Sequence, residues 1–183
     1  FSISRYLYFS ANAGFEHLFN AIMETCSFRP PLVFLGPLLF FPVLGETYKA
    51  CLAPNFLYLL LLMLSTYGIG KHLFGHWQGL LAAFLISTYP EIISLSRIYL
   101  LDLPMIAAVA FSIYIMLLTS GFRRPICSAL FGAAFALAFL VKWSALFFVA
   151  PVAGFFLLQS TDWKLPHAVQ VRNLLLAVFV FFL

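Results

Sequence analysis

Asp102, Arg97, Lys142 and Arg29 each stand at the margin of an apolar run. A charge there is costly unless it meets water, a headgroup or a ligand. Asp102 closes the stretch Ser96-Arg97-Ile98-Tyr99-Leu100-Leu101-Asp102-Leu103-Pro104, with Pro104 in the first turn of the apolar run that follows. An acid in that place either caps the helix and meets its positive dipole end, or serves as a base or an anionic ligand for a divalent cation. Arg97, five residues earlier, either snorkels to the interface or binds a phosphate, whose oxygens match the guanidinium fork. Lys142 lies in Ala138-Phe139-Leu140-Val141-Lys142-Trp143-Ser144, between two apolar runs with almost no loop. It either snorkels beside Trp143 or neutralises a phosphate or carboxylate. Arg29, in Phe28-Arg29-Pro30-Pro31-Leu32, is followed by two prolines that impose an extended approach, which suits an interfacial anchor.

Other polar positions carry weaker chemistry. Lys71-His72-Leu73-Phe74-Gly75-His76 places two His four apart, a metal-binding spacing if helical. No third ligand is near and Gly75 interrupts the turn, so it reads as a topogenic loop. Glu91, after Pro90, is a site acid or an exposed helix-end residue. His17 and His167 carry no signal. Cys26, Cys51 and Cys127 are scattered, without disulfide or metal spacing, and read as packing residues. No phosphate-binding glycine loop, dinucleotide fingerprint, nucleophile elbow or HExxH motif is present.

These residues belong to a chain that is 64% hydrophobic and 9% charged, with a mean hydropathy of +1.05. A soluble domain is nearer half apolar and about a quarter charged, so this surface needs lipid to cover it. The predicted fold class is an all-α polytopic membrane protein. Apolar runs at 52–70, 77–95, 103–119, 126–141 and 144–158 predict about five full spans, and the run from 174 a truncated one. The run 32–44 has only 13 residues and contains Pro37 and Pro42, which predicts an interfacial or re-entrant segment. Residues 1–30 then form an outer-side loop with amphipathic or interfacial segments, 31–51 a short juxtamembrane segment and loop, and 52–183 the transmembrane bundle.

If 32–44 does not cross, then from residue 71 onward Lys71, Arg123, Arg124, Lys164 and Arg172 share one side, against Arg97 and Lys142 on the other. The positive-inside rule makes the first side cytoplasmic. Glu16, Glu24, Glu46, Glu91 and Asp102 fall on the outer side, and Asp162 on the cytoplasmic one. The net charge of +4 is that of a membrane protein with basic loops. No basic cluster exceeds Arg123-Arg124, so nucleic acid is not an expected partner. The chain opens at Phe1 without a signal-peptide pattern. It stops at Leu183 inside an apolar run of ten residues, about 15 Å of helix against a bilayer core of about 30 Å. Both ends predict an internal piece of a longer protein.

The order of these pieces resembles a known family. A basic residue before Pro30-Pro31-Leu32 opens a short juxtamembrane segment. Then come a span ending in Gly70-Lys71-His72-Leu73-Phe74-Gly75, a span ending in Tyr89-Pro90-Glu91-Ile92-Ile93-Ser94-Leu95-Ser96-Arg97, Asp102-Leu103-Pro104, and Leu137-Ala138-Phe139-Leu140-Val141-Lys142-Trp143. Over roughly residues 20–160 this is similar to the GT-C superfamily of polyprenyl-phosphate-sugar-dependent glycosyltransferases. The nearest branch is family 39-like, with the protein O-mannosyltransferases and aminoarabinose lipid A transferases.

The resemblance implies a GT-C-type helical bundle active on the non-cytoplasmic face, which is the periplasm or cell exterior in a prokaryote and the endoplasmic reticulum lumen in a eukaryote; a prokaryotic inner membrane is the expected location. It implies an inverting transfer of a sugar from dolichyl or undecaprenyl phosphate to a protein, lipid or glycan acceptor. Asp102 matches the second outer-loop acid, and Arg29 the basic residue that contacts the lipid phosphate. Arg97 and Lys142 match recurring basic positions. A divalent cation, Mg or Mn, is the implied cofactor, at Asp102 together with an upstream acid. The family's Asp-Glu pair at its first helix is absent here. It is expected upstream of Phe1, so this piece is expected to be inactive alone; Glu16 or Glu24 would substitute only in an unusual first loop. Two other readings stay open: a transporter or flippase for a lipid-linked anion, which predicts paired broken helices and internal pseudo-symmetry, and a non-catalytic scaffold, which predicts that Asp102, Arg97 and Lys142 point apart.

Overall fold

The computed structural model describes residues 2–25, 30–160 and 168–183, and every regular element among them is helical. Helices α1 (Ser2–Ala13) and α2 (Phe15–Thr25) are separated at Gly14, whose φ of +127° only glycine adopts at ease. The run 32–44 breaks into α3 (Leu32–Leu35), a 3-10 turn (Gly36–Leu39) and α4 (Phe41–Leu44). Pro37 and Pro42 stand in the first turn of the second and third pieces. Neither has a backbone donor to continue the helix before it.

Helix α5 (Tyr48–Leu73) follows, its first turn capped by Thr47, whose hydroxyl accepts the Ala50 N–H at 3.4 Å. Its 26 residues make it the single helix among the described residues long and apolar enough to cross a membrane unbroken. The expected span over 77–95 is broken into two helices, α6 (His76–Thr88) and α7 (Pro90–Ser96), bent by 59° and together long and apolar enough for one broken span or a re-entrant loop. Pro90 is the cause: it pushes Tyr89 into extended backbone, at φ −66° and ψ 124°. Helices α8 (Asp102–Leu118), α9 (Pro125–Val141), α10 (Ala145–Ser160) and α11 (Ala168–Phe182) coincide with the remaining apolar runs. At 15 to 17 residues they reach about 23–26 Å, and α8 to α10 are at least as long as the runs 103–119, 126–141 and 144–158 that predicted them.

Helix α5 packs on α6 and α8, α8 on α9, α9 on α11, and α10 on α8. Small residues set the distances. A Cβ on Gly79 would lie 2.7 Å from both Lys71 N and Tyr67 O, so α5 and α6 meet backbone to backbone. Gly68 receives the ring of Tyr114 from α8, and Gly132 of α9 faces the Ala177 carbonyl of α11. The turn after α8 is held by Thr119, which donates to Met116 O at 2.7 Å and accepts the Phe122 N–H at 3.1 Å. Buried Asn173 of α11 donates to Phe122 O at 2.8 Å, which ties that turn to the last helix.

The hydrogen bonds fix which elements share an end. Tyr99, in the loop before α8, donates its N–H to the Tyr48 hydroxyl at the start of α5 and its O–H to Val33 O of α3. Gly36 approaches Pro54, and Phe41 clusters with Ala50 and Cys51. The run 32–44 therefore lies across the end of the bundle that holds the start of α5 and the start of α8. At the other end, His72 of α5 shares a cleft with Ser120, Gly121 and Gln159.

Candidate functional site

Asp102 is the first residue of α8, and Lys142 follows the last residue of α9. The two helices are antiparallel neighbours of 17 residues each, so the start of one returns beside the end of the other. Lys142 Nζ donates to Asp102 Oδ1 at 2.7 Å. Of the readings the sequence left open for Asp102, capping is not the one realised: the cap position is Leu101, and no side chain caps α8. The carboxylate is committed to the lysine instead. Each charge also sits at the helix end whose dipole favours it, the acid at an N-terminus and the base at a C-terminus.

The pair lines a cleft of about 400 Å³ with Pro30, Leu100, Leu101, Trp143 and Ser144. The side chains of Lys142 and Asp102 remain 40% and 41% exposed, open to a ligand entering that cleft. Beside them the Ser144 hydroxyl donates to the Met105 sulfur at 3.1 Å, a weak acceptor that a ligand oxygen would displace. Leu103 and Pro104 behind Asp102 are fully buried, so the acid stands on a fixed first turn. An ammonium, a carboxylate and a hydroxyl at one apolar mouth can hold a phosphate and a second polar group side by side.

The four sequence candidates separate. Asp102 and Lys142 come together. Arg97, the C-cap residue of α7, is exposed and does not line the cleft. Arg29 falls outside the described residues; Pro30, next in sequence, lines the cleft. For a divalent cation, the described residues of the cleft offer one carboxylate, Asp102, already paired. Among the described residues no group of three His, Cys, Asp or Glu gathers, and the side chains present do not by themselves form a cation site. His72 and His76 do not share a ligand: His76 Nδ1 is 2.8 Å from the Tyr67 hydroxyl.

Sequence reasoning missed the residues that carry the loop. Asn55 of α5, 3% exposed, donates both amide hydrogens, to Ser96 O at 3.1 Å and Ile98 O at 3.0 Å. Tyr99 is part-buried, with Ser4 Oγ 2.9 Å from its hydroxyl, and burial pushes that hydroxyl above the ordinary tyrosine range. The available signal for Asn55 was an amide inside an apolar run, where polar groups are expensive.

The model of one family, dolichyl-phosphate-mannose-protein mannosyltransferase, matches residues 28–183, which include every residue lining the cleft. No curated protein and no solved structure matches the chain.

Proposed function

The chain belongs to the dolichyl-phosphate-mannose-protein mannosyltransferase family, and from that premise we propose that its cleft at Asp102 and Lys142 is the transfer site of a membrane glycosyltransferase. The family's members are integral membrane proteins, and α5 is long and apolar enough to cross a bilayer. In this reading α5 to α11 form a GT-C-type polytopic bundle. The donor is a sugar on a polyprenyl phosphate, dolichyl or undecaprenyl, and the acceptor is a hydroxyl of a protein, lipid or glycan. The cleft opens on the non-cytoplasmic face, periplasmic in a prokaryotic inner membrane. From residue 71 onward Lys71, Arg123, Arg124, Lys164 and Arg172 outnumber Arg97 and Lys142, which supports that orientation through the positive-inside rule.

The observation that carries the proposal is the half-exposed ion pair at the mouth of an apolar cleft. Before substrate arrives, Asp102 and Lys142 neutralise each other. An incoming phosphodiester competes for the ammonium and frees the carboxylate to accept the hydrogen bond of an acceptor hydroxyl. The acceptor oxygen then bonds to the anomeric carbon from the face opposite the phosphate, and inversion follows. The bond from that carbon to the phosphate oxygen breaks, leaving a polyprenyl phosphomonoester with one more negative charge. Lys142 meets that charge where it develops, which is where a fixed cation lowers a barrier most. The acceptor proton leaves towards Asp102. The apolar wall of Leu100, Leu101 and Trp143 suits the first isoprene units of the lipid.

A transporter would be built around two broken helices in corresponding positions. The described residues hold one such break, between Thr88 and Pro90, so transfer is the better-supported reading. The test is transfer of labelled mannose from dolichyl phosphate and from undecaprenyl phosphate to acceptor by the full-length protein in lipid. Transfer from neither lipid with any sugar would reject the proposal.

A further inference from the structure

Asn55 sits two turns into α5 among apolar residues, and burying an amide there is costly unless its hydrogens are used. Both are used, on one short stretch of chain 41 and 43 residues away. Ser96 is the last residue of α7, so its carbonyl has no helical partner of its own. Ile98 lies in the loop that follows. The Asn55 side chain thus takes the place of backbone bonds that the loop cannot make for itself.

The next residue is held as firmly. The Tyr99 N–H donates to the Tyr48 hydroxyl at 3.2 Å, and its O–H to Val33 O at 3.0 Å. With that hydrogen committed, Ser4 is left to donate to the Tyr99 oxygen at 2.9 Å. Groups from α1, α3 and α5 therefore converge on residues 96–99. Leu100 and Leu101, which come next, are a wall of the cleft, and Asp102 begins α8. That helix start has no side-chain cap, so besides the burial of Leu103 and Pro104 the preceding loop is what sets its place.

We infer that Asn55 and Tyr99 are positioning residues that hold the loop 96–101, and through it Asp102, in register with Lys142. Neither side chain lines the cleft; each acts through the loop backbone. The role in catalysis rests on the glycosyl-transfer reading, whereas the restraint on the loop does not.

The test uses the full-length protein in lipid and three substitutions. Asn55→Leu keeps the branched shape and the number of side-chain heavy atoms and removes the donors, Asn55→Gln keeps an amide, and Tyr99→Phe removes one hydroxyl. Two quantities are read: hydrogen exchange at the Tyr99 amide, and kcat with donor KM. In Asn55→Leu the exchange is expected to quicken at least about tenfold, because a local opening is released without global unfolding. kcat is expected to fall about 10- to 100-fold, since a misplacement near 1 Å costs that much, while donor KM stays within about threefold and Asn55→Gln recovers part of the loss. Unchanged Tyr99 exchange, or unchanged kcat with a released loop, overturns the inference. If Asn55→Leu does not fold, Tyr99→Phe decides on the same two readouts. If the wild-type protein transfers no sugar, the functional reading fails, and the exchange result alone decides whether the restraint exists.

Discussion

Lys142 Nζ reaches Asp102 Oδ1 across 2.7 Å and so joins the C-terminal end of α9 to the N-terminal start of α8. The pair closes no core. Both side chains are about two-fifths exposed, and solvent screens such a contact to about 0–1 kcal/mol. A pair of so little structural worth, placed where apolar walls would otherwise meet, is best explained by what it does with a ligand.

The first prediction follows from that exposure. Asp102→Asn and Lys142→Gln should each leave the thermal midpoint in detergent within about 4 °C of wild type, the shift that about 1 kcal/mol produces in a chain of this size. A fall of ten degrees or more would make the pair a structural clamp and remove the reason for reading it as a site.

The α5–α6 contact gives a second prediction with an internal control. Gly79→Ala forces a methyl against the backbone of Lys71 and Tyr67 and should cost about 1–3 kcal/mol. Gly154→Ala, in α10, meets nothing within 4 Å and should gain about 0.5–1 kcal/mol from helix propensity. Thermal unfolding of the two variants should move in opposite directions. Equal shifts would mean that α5 and α6 do not meet at these glycines.

Tyr99 predicts a pH dependence. Burial raises its folded-state pKa above the unfolded value, which is about 10. The folded state therefore holds the proton more tightly. The stability this contributes is whole below about pH 10 and is lost as pH rises beyond it. Wild type should lose more midpoint than Tyr99→Phe between pH 8 and pH 10.5. A difference between the two that stays constant over this interval would contradict the burial of the Tyr99 hydroxyl.

Some of this arrangement is legible in the residues. The apolar runs become helices because nothing inside most of them competes with helix formation, and Pro37, Pro42 and Pro90 break the chain where a missing donor must. The types and places of Asp102 and Lys142 are readable too, since charges at the margins of apolar runs are few. Their contact is not, because 40 residues separate them and only the antiparallel packing of two equal helices brings them together. Asn55 and Tyr99 escape for a related reason. Their partners are loop carbonyls and a distant hydroxyl, which no periodicity announces. Arg97 misleads in the opposite way: its type fits phosphate, yet it stands exposed and outside the cleft lining.

A further prediction separates the basic residues. Arg97→Gln should lower transfer less than tenfold, whereas removing a cation that meets the leaving phosphate costs about 10²–10³. An Arg97 effect as large as that of Lys142 would place the donor phosphate outside the described cleft.

The most direct test of the central claim is kcat/KM for the polyprenyl-phosphate sugar, measured on full-length wild type and on Lys142→Gln. The account predicts a loss of at least about 100-fold in a protein that folds as before. A Lys142→Gln enzyme within about twofold of wild type would contradict it, because the leaving phosphate would then be neutralised elsewhere.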